Sequence, residues 1–384
     1  MENKFSRKTK ELKPSATLLI NKKVSEMKAK GEKILNLSVG EPDFDTPAFI
    51  KGAAIKAINE GFTKYTDSSG IKELREEISK KLFKDNNLLY YPEQIIVSNG
   101  AKHSLFNIFL AICDEGDEVI IPQPYWVSYP EMVKIAGGKP VFCRFNNEYK
   151  IDIEHLKSLI NEKTKAIILN SPSNPSGIVY EKDELKTIGE IILRNNIFCI
   201  SDEVYEYYIY DGKKHVSIAS LNEELKNLAI VVNGVSKTFS MTGWRIGYLA
   251  APLSLAKVIG NIQSQTTSNP SSISQKAALS ALSFNLKDIS PIIREFEVRR
   301  NLLIKNLNEF VQFIKPQGAF YLMLKIGNLN SLQLCEKLLD EEKIAAVAGD
   351  DFGIENFVRI SFAVKTEILE QAIAGINRLA KKYG

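Results

Sequence analysis

Hydrophobic positions along the chain switch period repeatedly. After Gly70, Leu74, Ile78 and Leu82 recur every four residues. From Ala101, Leu105, Ile108, Phe109 and Ile112 fall on one face, and near the end Leu369, Ile373, Ile376 and Leu379 do the same. This spacing predicts amphipathic helices. Between such stretches lie short runs rich in Val and Ile, at 94–98, 118–122, 165–170, 198–203, 230–234 and 246–251. Several are apolar throughout, as strands covered on both faces are. The alternation predicts an α/β fold around a mostly parallel sheet. Near residue 290 the order changes: a long charged helical stretch, then FYLML, then FVRISFA, then a last helix. That order predicts a smaller α+β unit following a large unit at about 46–290.

Composition narrows the classes of function. With 384 residues, 44% hydrophobic and 25% charged, the chain is not largely disordered. A net charge of +4 does not suit a dedicated nucleic-acid binder. No apolar run approaches the ~18 residues of a membrane span. The N-terminus is charged and has no apolar core, so no secretory signal is read there. The expected location is the cytoplasm. Cys113, Cys143 and Cys199 sit in apolar stretches and no CxxC pair occurs, which predicts buried free thiols in a reducing compartment. His103, His155 and His215 stand more than fifty residues apart, so no local zinc motif exists and no metal is expected.

Ligands of open α/β sheets bind beyond the carboxyl ends of the strands, so the residues after each apolar run matter most. Asn99-Gly100-Ala101-Lys102 opens a helix, which is either a phosphate cradle or a plain tight turn. Trp126 is either a flat platform for a ring or a core residue. Asn174 sits in Ser-Pro-Ser-Asn-Pro-Ser-Gly, an unusual turn whose X-Pro bonds are candidates for the cis form. Asp202 and Tyr205 follow a buried strand, where an acid needs a cation, donors or a helix to cap. The run 234–247 surrounds Lys237 with small and hydroxyl residues and adds Arg245. A lysine that must lose its proton wants a crowded site near other cations, and arginine clamps phosphate. Phosphate donors, aromatic plate, amide, acid, phenol, lysine and arginine together suit pyridoxal phosphate, which uses a lysine linkage and a partner for its ring nitrogen.

The sequence resembles the class I aminotransferases of the fold-type I pyridoxal phosphate enzymes. Within them it is most similar to bacterial and plastid aspartate aminotransferases, some of which also accept prephenate. The resemblance runs from LKPSATL to the final helix. It rests on GEPDFDTP (40–47), KYTDSSGIKELRE (64–76), VSNGAK (97–102), PYWVSYPEM (124–132), SPSNPSG (171–177), SDEVYE (201–206), GVSKTFSMTGWRIGY (234–248), PQGAFY (316–321) and RISF (359–362).

The resemblance implies a large cofactor-binding domain at 46–290, with 1–45 and 291–384 forming an N-terminal arm and a small domain. It implies that Lys237 bonds covalently to the cofactor and later carries the substrate Cα proton. Asp202 would pair with the ring nitrogen, Tyr205 and Asn174 would bond the phenolic oxygen, and Trp126 would stack on the ring. Backbone groups at Ala101 and Lys102, together with Arg245, would hold the phosphate, joined by Tyr65 from a neighbouring subunit, so a homodimer with shared sites is implied. Arg359 would bind the substrate α-carboxylate, helped by Gly40 and Asn174, and Lys102 would meet the distal carboxylate. Thr17 with Lys102 fits relatives that transaminate prephenate.

The implied reaction is ping-pong transfer of the amino group from L-aspartate to 2-oxoglutarate, giving oxaloacetate and L-glutamate. The alternatives are another class I transaminase (aromatic, alanine or kynurenine), a pyridoxal phosphate β C–S lyase, and an aminotransferase-like sensor domain. Two departures stand out. Segment 263–276 has no arginine for a distal carboxylate, and Gly234 replaces a phosphate-binding serine.

Overall fold

The computed structural model describes residues 6, 12, 14, 16–283 and 289–384. Most of residues 1–15, the start of the expected arm, lie outside them.

Seven strands form the main sheet: β1 (Ile95–Ser98), β2 (Glu118–Pro122), β3 (Lys139–Cys143), β4 (Thr164–Asn170), β5 (Phe198–Asp202), β6 (Ala229–Gly234) and β7 (Gly247–Ala250). Their order is β1-β7-β6-β5-β4-β2-β3. β7 runs antiparallel to both its neighbours, and the remaining pairs are parallel. The apolar runs are explained by two-sided burial. Ile95, Val97, Ala229, Val231 and Ala250 join one core cluster, which includes Leu74, Ile78 and Leu82. Ile96, Ile230, Val232 and Leu249 point into another, with Leu105, Ile108 and Phe109. Successive strand residues alternate faces, so a sheet covered on both sides needs apolar residues at every position. β3 was not predicted. It is an edge strand, carries Pro140 and has Phe142 exposed, so its pattern is broken.

Six helices complete the frame needed here: α1 (Ala16–Ala29), α2 (Lys72–Asn86), α3 (Ala101–Ile112), α4 (Ser290–Asn306), α5 (Ser331–Glu342) and α6 (Thr366–Tyr383). A second, four-stranded sheet contains β8 (Val311–Ile314), β9 (Tyr321–Ile326), β10 (Val347–Ala348) and β11 (Val358–Ser361), ordered β10-β11-β9-β8 with every pair antiparallel. α5 also escaped prediction, although Leu334, Leu338 and Leu339 mark its buried face. Leu35–Asn36 pairs in parallel with Ile344–Ala345, which ties the N-terminal segment to the C-terminal unit. All four cysteines are free; Cys113, Cys143 and Cys199 are buried and Cys335 is partly buried.

A buried polar network lies just beyond β5. Glu206 pairs with Lys81 and accepts from Asn86 Nδ2 at 2.6 Å and Asn233 Nδ2 at 2.7 Å. Glu203 meets His215 Nε2 at 2.9 Å and accepts from Ser201 at 2.8 Å and Ser217 at 2.6 Å. The tertiary fold thus brings a histidine to two carboxylates within 4.8 Å of one another. Lys81 already supplies a cation to Glu206.

Burial pulls the His215 imidazole down, but Glu203 outweighs it and the net direction is up. Burial pushes Glu203 up, and His215 with the two serines brings it below the usual range. The charged imidazole therefore stabilises the fold fully below the ordinary value of about 6.5, and less as pH rises through its raised folded value. The Glu203 contribution is lost in acid, as pH falls through its lowered value. His215→Leu is expected to destabilise by about 3 kcal/mol at pH 6. Its gap from the wild type should narrow toward alkaline pH in denaturant-midpoint measurements; a gap independent of pH would contradict this.

Candidate active site

The carboxyl ends of β1, β4, β5 and β6 and the start of β7 meet at one edge of the main sheet, where Ser98 and Gly234 both pair with Gly247. There the chain encloses a cavity of about 320 Å³. Thr17, Gly40, Ala101, Lys102, Trp126, Asn174, Asp202, Tyr205, Lys237, Arg245 and Arg359 all line it. Tyr65 does not: it is 91% exposed, outside this cavity.

Lys237 stands three residues beyond β6. Its Nζ donates to the Gly40 carbonyl at 2.7 Å and lies 5.9 Å from the centroid of the Tyr205 ring. Loss of hydration pushes its amine down to about 8; Glu41 opposes this, and Arg359 and Arg245 add to it. Such an amine is neutral often enough near pH 7 to act as nucleophile and base.

Asp202 ends β5 and is 4% exposed. Burial pushes its carboxyl up to about 6, even though Tyr129 Oη donates to it at 2.6 Å and Val204 N at 3.4 Å. A carboxylate desolvated this far gains from any cation brought beside it. Asn170 Nδ2 donates to the Asp202 carbonyl at 3.0 Å, and Asn170 Oδ1 accepts from Asn174 N at 2.8 Å. These two bonds fasten the turn after β4 to the end of β5. The turn contains cis Ser171–Pro172 and Asn174–Pro175, as the sequence suggested, and a third cis bond, Gln123–Pro124, precedes Trp126.

Arg359 lies on β11 and is 2% exposed. Its Nη1 donates to Asn174 Oδ1 at 3.0 Å and its Nη2 to the Ser38 carbonyl at 2.7 Å. The guanidinium carbon is 4.5 Å from the centroid of the Tyr321 ring and 4.9 Å from that of Phe352. Its Nε has no partner, and no carboxylate pairs with it, among the described residues. A guanidinium does not lose its proton in a protein, so this buried charge stands unneutralised.

At the other end, Arg245 Nη1 donates to the Thr242 carbonyl at 2.9 Å, and Nη2 to the Asn99 carbonyl at 3.4 Å. A Cβ on Gly247 would collide with Ala101 N, so only glycine lets β7 approach the start of α3 this closely. A Cβ on Gly234 would stand 3.0 Å from both Gly247 Cα and the Ile246 carbonyl, so a side chain there would require a small shift of β7. Lys102 Nζ sits 4.8 Å from the centroid of the Trp126 ring. Burial, then Arg245, pull its ammonium down.

The arginine-free segment has other work. Gln263 Nε2 donates to the Ser68 carbonyl at 2.6 Å and the Val97 carbonyl at 2.7 Å, and Gln275 Oε1 accepts from Ile71 N at 2.7 Å. Both hold the loop that carries Tyr65.

Among the cavity residues that escaped prediction, Tyr129, Asn170 and Tyr321 carry polar contacts. Tyr129 and Tyr321 lay inside quoted segments, but no local feature marked them as polar contacts.

The residues present fit pyridoxal phosphate. The first N–H groups of a helix lack intrahelical acceptors and suit a phosphate beside Arg245. Asp202 is a buried acid suited to a protonated ring nitrogen, and Lys237 is an amine poised to lose its proton.

Comparison with known proteins agrees. The family model described as aminotransferase class I and II matches residues 32–376. An aspartate aminotransferase of Bacillus subtilis is 46% identical over 99% of this chain and 100% of its own. A protein of Aquifex aeolicus, named a probable aspartate/prephenate aminotransferase, is 45% identical over 99% of both chains. Among solved structures, the aspartate aminotransferase from Thermus thermophilus with maleate superposes with a TM-score of 0.93 at 38% identity, covering 98% of this chain and 99% of that one. The aspartate aminotransferase from Rhizobium meliloti gives 0.95 at 37% identity, covering 99% and 100%.

Proposed function

Because this chain belongs to the class I and II aminotransferases, we propose that it is an aspartate aminotransferase that passes the amino group of L-aspartate to 2-oxoglutarate. The observation that carries the substrate class is Arg359, a buried guanidinium with no carboxylate partner among the described residues, at the cavity that Lys237 lines. An α-carboxylate would neutralise it bidentately. The dicarboxylate preference rests on Lys102, a second cation lining the same cavity, and on the relatives' names. One relative was solved with maleate, also a dicarboxylate. Prephenate is a second oxo acid for this site, favoured by Thr17 and Lys102 lining one cavity.

Members of this family use pyridoxal phosphate. When bound, it supplies an aldehyde that joins to amines and a ring that withdraws the electrons left at Cα. In our assignment Asp202, Tyr205, Asn174 and Trp126 hold the ring, and the backbone at Ala101 and Lys102, with the Arg245 side chain, holds the phosphate. Arg359, Gly40 and Asn174 hold the α-carboxylate and fix the Cα–H bond toward Lys237. Lys237 Nζ, neutral for part of the time, would take that proton and deliver it to the cofactor's former aldehyde carbon, and the second half of the cycle would run the same transfer in reverse.

Tyr65 is exposed on one protomer, and we assign it to the phosphate of a partner subunit in a homodimer with shared sites. We take 46–290 as the large domain and 1–45 with 291–384 as arm and small domain. No helix among the described residues is long and apolar enough to cross a membrane, and we assign the enzyme to the cytoplasm.

The test is a half-reaction. Holoenzyme mixed with aspartate or glutamate, without any oxo acid, should rapidly lose its visible absorbance. An enzyme that ignores both but reacts with phenylalanine or alanine is a different transaminase, and one that releases pyruvate and ammonia from cystathionine is a lyase. Lys102→Ala is expected to lower kcat/KM for aspartate by about 30-fold and for alanine by less than about threefold, because only aspartate has a distal carboxylate to lose. Equal losses on both substrates would remove Lys102 from the distal subsite.

A further inference from the structure

Tyr321 has no role in the scheme above, yet it touches three groups that do. At the start of β9 it lies directly opposite Ser361 on β11. Arg359, two residues earlier on β11, is therefore its diagonal neighbour on the same face. The guanidinium carbon sits 4.5 Å from the centroid of the Tyr321 ring. At the far end of that ring, Tyr321 Oη is 2.9 Å from Tyr205 Oη. The same oxygen occupies the space that a Cβ on Gly40 would take, and the Gly40 carbonyl accepts from Lys237 Nζ. Tyr321 is 1% exposed, so bulk water does not compete for these contacts.

Each phenol has one O–H to donate. If Tyr205 donates to a ligand in the cavity, the bond between the two phenols must run from Tyr321 to Tyr205. Burial raises both phenols, so both keep their protons at neutral pH, and Arg359 partly offsets burial at Tyr321. A cation over the Tyr321 ring makes its hydroxyl the better donor of the pair, and a chain of two donors is stronger than either bond alone.

We propose that Tyr321 is a positioning residue for transamination: its hydroxyl donates to Tyr205 and so turns the Tyr205 hydroxyl toward the cofactor's phenolic oxygen, while its ring carries Arg359. One side chain thereby links the carboxylate-binding end of the site to the cofactor end. The proposal rests on the functional assignment above.

The experiment titrates the visible absorbance of holoenzyme against pH; its midpoint reports the proton on the nitrogen that joins Lys237 to pyridoxal phosphate. Tyr321→Phe keeps the ring and removes the donor. Its midpoint should rise by about 0.5 pH unit, about threefold in proton affinity. Placing 3,5-difluorotyrosine at position 321 makes the donor more acidic at nearly the same shape and should move the midpoint down; it decides the matter if the Phe variant does not fold. Midpoints unmoved in these proteins, with Tyr205→Phe shifted, overturn the proposal and leave the functional assignment standing. Lower cofactor occupancy with an unmoved midpoint means a purely structural role and also overturns it. A wild-type protein that acquires no visible band from pyridoxal phosphate removes the assignment and the proposal together.

Discussion

Lys237→Ala is expected to abolish transamination, with turnover falling by at least about 10⁴-fold. The variant loses two things at once: the amine that links to the cofactor, and the base that moves the Cα proton, the latter alone contributing about 10²–10⁴-fold. No neighbour replaces it. Lys102 also lines the cavity, but its ammonium is held over Trp126. The cradle around Asp202, Arg245 and the start of α3 does not depend on Lys237, so the variant should still bind pyridoxal phosphate, reversibly. Borohydride treatment should add the cofactor's mass to the wild type, and that mass should be absent from the variant. Normal turnover by Lys237→Ala would sink the assignment.

Arg359→Lys keeps the charge and is nevertheless expected to raise KM for aspartate and Kd for maleate by about 100-fold, which is about 2.7 kcal/mol. The reason is geometric. The guanidinium lies between the rings of Tyr321 and Phe352 and donates at once to Asn174 and Ser38. Its planar fork suits that slot and a carboxylate together; an ammonium is a point charge on a flexible stem and satisfies fewer partners. The midpoint of the visible band should change little in comparison, which separates a lost carboxylate clamp from a lost cofactor. A KM within twofold of the wild type would place the α-carboxylate elsewhere.

Legibility followed the range of the contacts involved. Asp202 ends a strand, and Lys237 and the Asn99–Lys102 turn follow one within a few residues, so an apolar run ending in unusual polar residues pointed to them. Asn174 was visible through its two flanking prolines. Arg359 was named only through resemblance, since a lone arginine in a strand has no local signature. Tyr321 and Tyr129 were silent. One meets Tyr205 from 116 positions away and the other meets Asp202 from 73 positions away, and no local pattern encodes such distances. The same applies to β3, an edge strand with a broken pattern.

What the sequence determined by itself was the α/β class, the strand ends and the inventory of reactive groups. These depend on hydrophobic period and on the chemistry of side chains, and both are local. Tertiary structure alone decided the state of those groups. The Lys237 amine is brought down to about 8, the Asp202 carboxyl is raised to about 6, and Arg359 has no carboxylate partner among the described residues because of what packs around them. Desolvation depends on every neighbour in space, and most of those neighbours are far away along the chain.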